Sequence, residues 1–62
     1  MNEKKAEELV CAFIAESGSK VTSIDEVKLV DEEKGEYSVT ATINGNAIRH
    51  YGVDSQEVVW SK

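Results

Sequence analysis

The chain has 62 residues, of which 40% are hydrophobic and 31% charged, so it can form one small core but not two domains. Twelve acidic and seven basic residues give a formal net charge of −5, which repels phosphate backbones and disfavours DNA or RNA as the main partner. The single cysteine, Cys11, excludes an intramolecular disulfide and a cysteine-based zinc site. We therefore expect one domain over residues 1–62.

The location of the protein is predicted from its apolar stretches and its single cysteine. The N-terminal residues carry charges of both signs where an export signal needs an apolar run. The longest apolar stretch, Leu9 to Ala15, is far shorter than the roughly 20 residues that cross a bilayer. We expect a cytoplasmic protein that does not span a membrane.

An amphipathic helix is predicted from Asn2 to Ser17. Asn2 can cap its first turn, and Gly18 can adopt the left-handed conformation that ends a helix. The residues expected on its buried stripe recur at intervals of three and four, and they are Ala6, Leu9, Val10, Phe13, Ile14 and Ser17.

Two extended segments follow the helix. In the first, Lys20 to Asp31, the apolar residues are out of phase, and a β-bulge near Asp25-Glu26 would bring its halves into phase. A polar loop ending in Gly35 leads to the second, which starts at Glu36 and alternates apolar and small polar residues up to a hairpin turn at Asn44-Gly45. This second strand has one dry face and one wet face, and the wet face carries Ser38, Thr40 and Thr42.

The third strand can pair with the second in two ways. A two-residue turn would pair Val39 with His50 and place the imidazole on the covered face. A three-residue connection, or a bulge at Arg49-His50, would instead place Tyr51 and Val53 inward and leave His50 in solvent. We favour the second pairing because it buries two apolar side chains, worth about 2 kcal/mol each, rather than one imidazole that needs a partner.

A turn over residues 54–57 and a short strand, Val58 to Trp60, complete the predicted elements. The expected fold class is α+β, with one N-terminal helix packed on one face of a three- to four-stranded antiparallel meander, written αβββ(β). The other face of the sheet is then open, and the meander has two edge strands.

Four features carry a family resemblance over most of the chain: the amphipathic helix, the strand Glu36–Ala41 with its Asn44-Gly45 turn, the segment Tyr51–Asp54, and Glu57–Val59. Together they resemble the PepSY family of small domains. The resemblance implies one helix on an antiparallel sheet, and a role in binding or restraining peptidases and other proteins. Ser55–Val58 lacks the glycine that the family has in this segment, and family members are commonly secreted or membrane-attached, unlike our expectation here.

No arrangement of residue types predicts catalysis or metal binding. His50 is the only histidine, and the sequence shows neither a nucleophile elbow nor an orienting carboxylate for it. The acidic cluster Asp31–Glu33 with Glu36 lacks the ligand spacing of a calcium loop. We expect a protein that is not an enzyme and needs no metal or other cofactor.

A protein or peptide is the expected partner. Arg49, His50 and Tyr51 place a positive charge beside an aromatic ring on a strand, and with Thr40 and Trp60 they are the candidate partner-binding residues. They would act through the open sheet face or a strand edge, and an edge can also pair with a second copy to give a homodimer. In the alternative interpretation, Tyr51 and Trp60 are core residues and Arg49 lies over them.

A second function remains open at this point. Despite the net charge, a small nucleic-acid-associated regulatory protein could use a local basic patch made of Lys28, Lys34, Arg49 and His50. Affinity for an oligonucleotide that falls steeply with salt would favour this function over protein binding.

Overall fold

The computed structural model describes residues 1–62 and contains one helix followed by four strands. The elements are α1 (Glu3–Glu16), β1 (Val21–Asp31), β2 (Glu36–Ile43), β3 (Ala47–Val53) and β4 (Val59–Ser61). The strands form one antiparallel sheet in the order β1-β2-β3-β4, so each strand lies beside its neighbour in sequence. The predicted α+β meander with an N-terminal helix on one face is confirmed. The helix is not long and apolar enough to cross a membrane.

Both ends of α1 are capped as the sequence predicts. The side-chain oxygen of Asn2 accepts the Lys5 N–H at 2.9 Å, which satisfies one of the free amides of the first turn. At the other end Gly18 has φ +86°, and its N–H donates to the Ala15 carbonyl at 3.0 Å. The next N–H, that of Ser19, donates to the Ile14 carbonyl at 3.2 Å, which completes a Schellman motif.

The core lies between α1 and one face of the sheet. Its buried side chains recur every four residues along α1 and every two along β2 and β3, and they are Ala6, Val10, Ile14, Val39, Ala41, Ile43, Tyr51 and Val53. The predicted stripe on α1 is wider than the buried one. Phe13 is 36% exposed at the flank of the helix, where its ring meets Tyr51 edge-on at 6.0 Å, and Ser17 is exposed.

Strand β1 contains the predicted bulge. Ile24 pairs with Ala41 and Glu26 with Thr40, so Asp25 is the extra residue between them. This shift places Ile24 and Val27 on the same side of the sheet, packed against the core. The register shifts at two further places that the sequence did not indicate, Thr22 and Val30.

The connection between β2 and β3 has three residues. Ile43 pairs with Ala47, and the Asn46 N–H closes the turn on the Ile43 carbonyl at 3.2 Å. Asn44 and Gly45 both have positive φ, 53° and 88°, as expected for an Asn-Gly hairpin turn. The favoured register is therefore confirmed, and it arises from the longer connection because the pairing of β2 with β3 shows no bulge.

The tip of this hairpin is tied to the beginning of β1. The Asn44 N–H donates to the Lys20 carbonyl at 2.8 Å, and the Lys20 N–H donates to the side-chain oxygen of Asn44 at 3.0 Å. The Gly45 N–H donates to Thr22 Oγ1 at 2.7 Å. These bonds fix the tip against β1, outside the sheet ladder itself.

Strand β4 begins at Val59, so the expectation that Val58 belongs to it is wrong. The side chain of Asp54 accepts the N–H groups of Gln56 and Val58, at 2.9 and 3.1 Å, and this extends the turn by one residue. Glu57 completes the turn with φ 67°, a backbone conformation that residues other than glycine rarely adopt.

Candidate interaction surface

The open face of the sheet, which lies opposite α1, is formed by alternate residues of the strands. From β2 to β4 the residues on it are Ser38, Thr40, Thr42, Ile48, His50, Gly52 and Trp60. Most are small or polar, and the two large apolar side chains are Ile48 and Trp60. Ile48 is 61% exposed.

The five candidate partner-binding residues lie on both sides of the sheet. Thr40, His50 and Trp60 are on the open face, where Thr40 Oγ1 lies 3.1 Å from His50 Nδ1. Arg49 and Tyr51 point to the helix side, because neighbours along a strand alternate. Tyr51 is a core residue at 8% exposure, whereas Arg49 is exposed. The five residues therefore do not form one continuous surface.

Trp60 covers Gly52 on the open face. The two residues are paired across β3 and β4, and a Cβ added to Gly52 would lie 2.4 Å from atoms of the indole ring. Trp60 is half-buried and is therefore neither a helix-side core residue nor a freely exposed one. Its ring also lines a shallow groove of about 390 Å³ whose other walls are polar, formed by Lys34, Glu36, Asp54, Ser55 and Gln56.

The bulge in β1 directs the carboxylate of Asp25 to the open face. Thr42 Oγ1 and Ser23 Oγ donate to its two oxygens at 2.7 and 2.8 Å. These hydrogen bonds, first that from Thr42 and then that from Ser23, hold the pKa of Asp25 below its ordinary value of 3.8. Asp25 was not among the predicted site residues, although the bulge that places it here was predicted.

Replacing Thr42 by valine should raise the pKa of Asp25 toward its ordinary value, because the stronger of its two hydroxyl donors is then lost. An NMR titration that follows the Asp25 side-chain carboxyl carbon measures this directly. The Ser23→Ala variant serves as the matched control, and it should raise the pKa by a smaller amount. A Thr42→Val protein whose Asp25 titrates as in the wild type would contradict the assigned hydrogen bond.

The same contact has a pH dependence of defined sign. Because the folded pKa of Asp25 is lower than the unfolded one, its stabilising contribution is complete above the unfolded value and is lost as the pH falls through the folded value. The stability difference between the wild type and Thr42→Val should therefore shrink on acidification below about pH 4.

The lone cysteine lies apart from the open face. Cys11 is on α1 beside a shallow depression of about 330 Å³ that is also lined by Lys4, Glu7 and Glu8. Partial burial, and secondarily the Glu7 carboxylate, raise the pKa of the Cys11 thiol above its ordinary value. The thiolate is therefore scarce near neutral pH, and the sheet separates the helix from His50 on the open face.

The residues of the alternative basic patch are also dispersed. Lys28 and His50 belong to the open face, since they pair with Ser38 and Thr40 on β2. Arg49 points to the helix side, and Lys34 lies in the loop between β1 and β2. No group of three or more histidine, cysteine, aspartate or glutamate side chains is arranged to hold a metal ion.

The outer edge of β3 is only partly covered. Strand β4 pairs with Tyr51–Val53, and the Lys62 N–H donates to the His50 carbonyl at 2.9 Å. Ala47–Arg49 lies beyond the end of β4, and we name this segment the β3 notch. There the guanidinium of Arg49 donates from Nη1 to the Ile48 carbonyl at 3.2 Å.

Comparison with known proteins identifies no relative: no protein-family model, curated protein or solved structure matches this chain.

Proposed function

We propose that the protein is a non-enzymatic interaction module that binds an extended polypeptide segment at the β3 notch. In such β-augmentation the bound segment adds a strand to a sheet edge, main-chain hydrogen bonds provide affinity, and alternate side chains provide specificity. The observation that carries the proposal is that the N–H and C=O of Ile48 point away from β2 and pair with no other strand of the sheet. The open face beside the notch would contact the alternate side chains of the bound segment.

The backbone N–H and C=O of Ile48 point away from β2 at the notch. The carbonyl of His50 points away from β2, since it accepts the Lys62 N–H on the β4 side. The N–H and C=O groups of successive residues along a strand point to opposite sides, so those of Ile48 point to the same side as those of His50. The only hydrogen bond at the Ile48 carbonyl comes from the Arg49 side chain. An incoming strand would find both a donor and an acceptor at Ile48.

The other sheet edge is less suited to strand addition. Strand β1 is longer than β3, but its register is interrupted at Thr22, Asp25 and Val30. Bulges and charged residues are the usual devices that prevent an edge from pairing with another chain. The β2–β3 ladder is regular from Tyr37–Val53 to Ile43–Ala47, so the notch presents an undistorted strand.

Side chains next to the notch supply apolar contact. Ile48 is 61% exposed on the open face, and burying half of such a side chain contributes about 1 kcal/mol. A strand added at the notch would place alternate side chains beside Ile48.

A separate polypeptide is a better occupant than a second copy of the chain. Symmetric pairing at the notch would bring both copies of Arg49, which carry like charges, into one short contact. Sedimentation of the free protein tests this point, and a dimer that is lost on Ile48→Pro substitution would replace the peptide proposal.

The test uses an acetylated and amidated seven-residue peptide of alternating valine and glutamine, titrated into ¹⁵N-labelled protein. We expect saturable shifts of the Ile48 amide and slower hydrogen exchange at this amide, with a dissociation constant of about 1 mM or tighter, as main-chain pairing over a few residues would give. Hydrogen exchange is measured on the unmodified protein, so this result does not depend on whether a variant folds.

The matched variants are Ile48→Pro and Ile48→Val. Proline removes an outward N–H that no other strand uses, and proline is tolerated at such edge positions, whereas valine keeps the N–H and a branched side chain. Binding, followed at the neighbouring Arg49 amide because proline has no N–H, should be lost in the proline variant and retained in the valine variant. Shifts that gather on α1, or a proline variant that is folded and still binds, would refute the proposal.

A further inference from the structure

Carboxylate side chains are absent from β3 and β4. All twelve carboxylate side chains lie within residues 1–36 and 54–57. Residues 37–53 and 58–62 contain none, and they hold Arg49, His50 and Lys62. These three residues lie at or next to the β3 notch, since Arg49 belongs to it and the Lys62 N–H donates to His50. The charged group at the notch is thus the Arg49 guanidinium, and no carboxylate side chain belongs to the two strands around it.

Arg49 is the central group of this site. Its side chain originates on the helix side of β3, yet its guanidinium reaches the outer edge and donates to the Ile48 carbonyl at 3.2 Å. The guanidinium therefore occupies the position of the N–H that an added strand would bring. A guanidinium has five N–H donors in a fork that fits a carboxylate, and this contact uses one of them.

We infer that the β3 notch selects extended segments in which acidic and apolar residues alternate. The inference rests on the proposed function, since it names the chemistry of the segment that the notch binds. Side chains of an added strand point alternately to the two sides of the sheet. One set would lie beside Ile48 on the open face, where apolar side chains are favoured, and the other beside Arg49 on the helix side, where carboxylates are favoured.

The net charge of −5 weakens the binding of an acidic segment by less than the contact with Arg49 strengthens it. At physiological ionic strength the Debye length is about 8 Å, so exposed charges farther away than this are largely screened. A carboxylate hydrogen-bonded to Arg49 is within contact distance, and no carboxylate side chain belongs to β3 or β4. The binding strand would exchange the Arg49–Ile48 contact for a main-chain bond and a charge-assisted one.

The experiment compares three capped seven-residue peptides in which valine alternates with glutamate, glutamine or lysine. The Ile48 amide shift is the readout for each titration. The glutamate peptide should bind about fivefold more tightly than the glutamine peptide, as expected for one exposed charge-assisted contact, and the lysine peptide should bind most weakly. In Arg49→Ala the ratio of glutamate to glutamine affinity should fall to about one.

Lys34→Ala is the control, because it changes the net charge by the same amount at a loop that is separate from the notch. Its glutamate-to-glutamine ratio should equal that of the wild type. Equal binding of all three peptides at Ile48, or an unchanged ratio in Arg49→Ala, would overturn the inference and leave the proposed function standing. If no peptide shifts Ile48, the proposed function itself fails.

Discussion

Replacing Ile14 by alanine is expected to lower the free energy of unfolding by about 3 kcal/mol. Ile14 is 1% exposed and is one of the largest fully buried side chains, and it lies between α1 and the sheet. The substitution leaves a cavity in the one layer of side chains between α1 and the sheet, and there is no further layer that could move in to fill it. Because a domain of this length has about 3 to 9 kcal/mol of total stability, the variant should lose at least a third of it.

Urea denaturation followed by circular dichroism measures the loss for Ile14→Ala. The matched control is Ile48→Ala, which removes the same atoms from a side chain that is 61% exposed. We expect the control to cost under about 1 kcal/mol, since little apolar surface leaves the interior. Similar losses in the two variants would mean that α1 does not cover the sheet as described.

Replacing Gly52 by alanine is expected to displace Trp60 and to cost about 1 to 2 kcal/mol, as overpacking of a tight contact does. The added Cβ would lie 2.4 Å from Cε2 and Cζ2 of the indole. A rigid ring cannot yield locally, so the side chain must rotate away from the sheet. Trp60 is the only tryptophan, and its fluorescence should therefore shift to longer wavelength as the ring enters water.

A double-mutant cycle with Trp60→Ala isolates the contact between Gly52 and the indole. In the Trp60→Ala background the obstacle is gone, so Gly52→Ala should cost well under 1 kcal/mol, an interaction energy of about 1 kcal/mol between the two sites. A cost that is the same in both backgrounds would assign the effect to the backbone of β3 rather than to the ring.

Elements whose signals are local in sequence were predictable. The helix carries its own cap at Asn2 and its own stop at Gly18, and both act within a few residues. The bulge at Asp25 could be inferred because the apolar residues before and after it would otherwise face opposite sides. The register of β3 followed from comparing the burial of Tyr51 and Val53 with that of His50.

The candidate site depends on relations between strands, which the sequence does not display. The notch lies beside the pairing of β3 with β4, whose start at Val59 is set by the Asp54 turn. The positive φ of Glu57 in this turn has no glycine or asparagine to signal it. The contact of the Arg49 guanidinium with the Ile48 carbonyl at the edge depends on the side-chain conformation of Arg49, which the sequence does not specify either.

The tethered hairpin tip has a consequence for the chemical lifetime of the protein. Asparagine followed by glycine deamidates when the glycine nitrogen attacks the asparagine side chain to form a cyclic imide. In the folded chain the Gly45 N–H donates a hydrogen bond to Thr22, and the side-chain oxygen of Asn44 accepts one from the Lys20 N–H. The glycine nitrogen therefore cannot reach the asparagine side chain until the tip leaves this geometry. Isoaspartate at this position would therefore form in proportion to the fraction of time that the tip is open, so its content in aged protein would report the local opening of the hairpin.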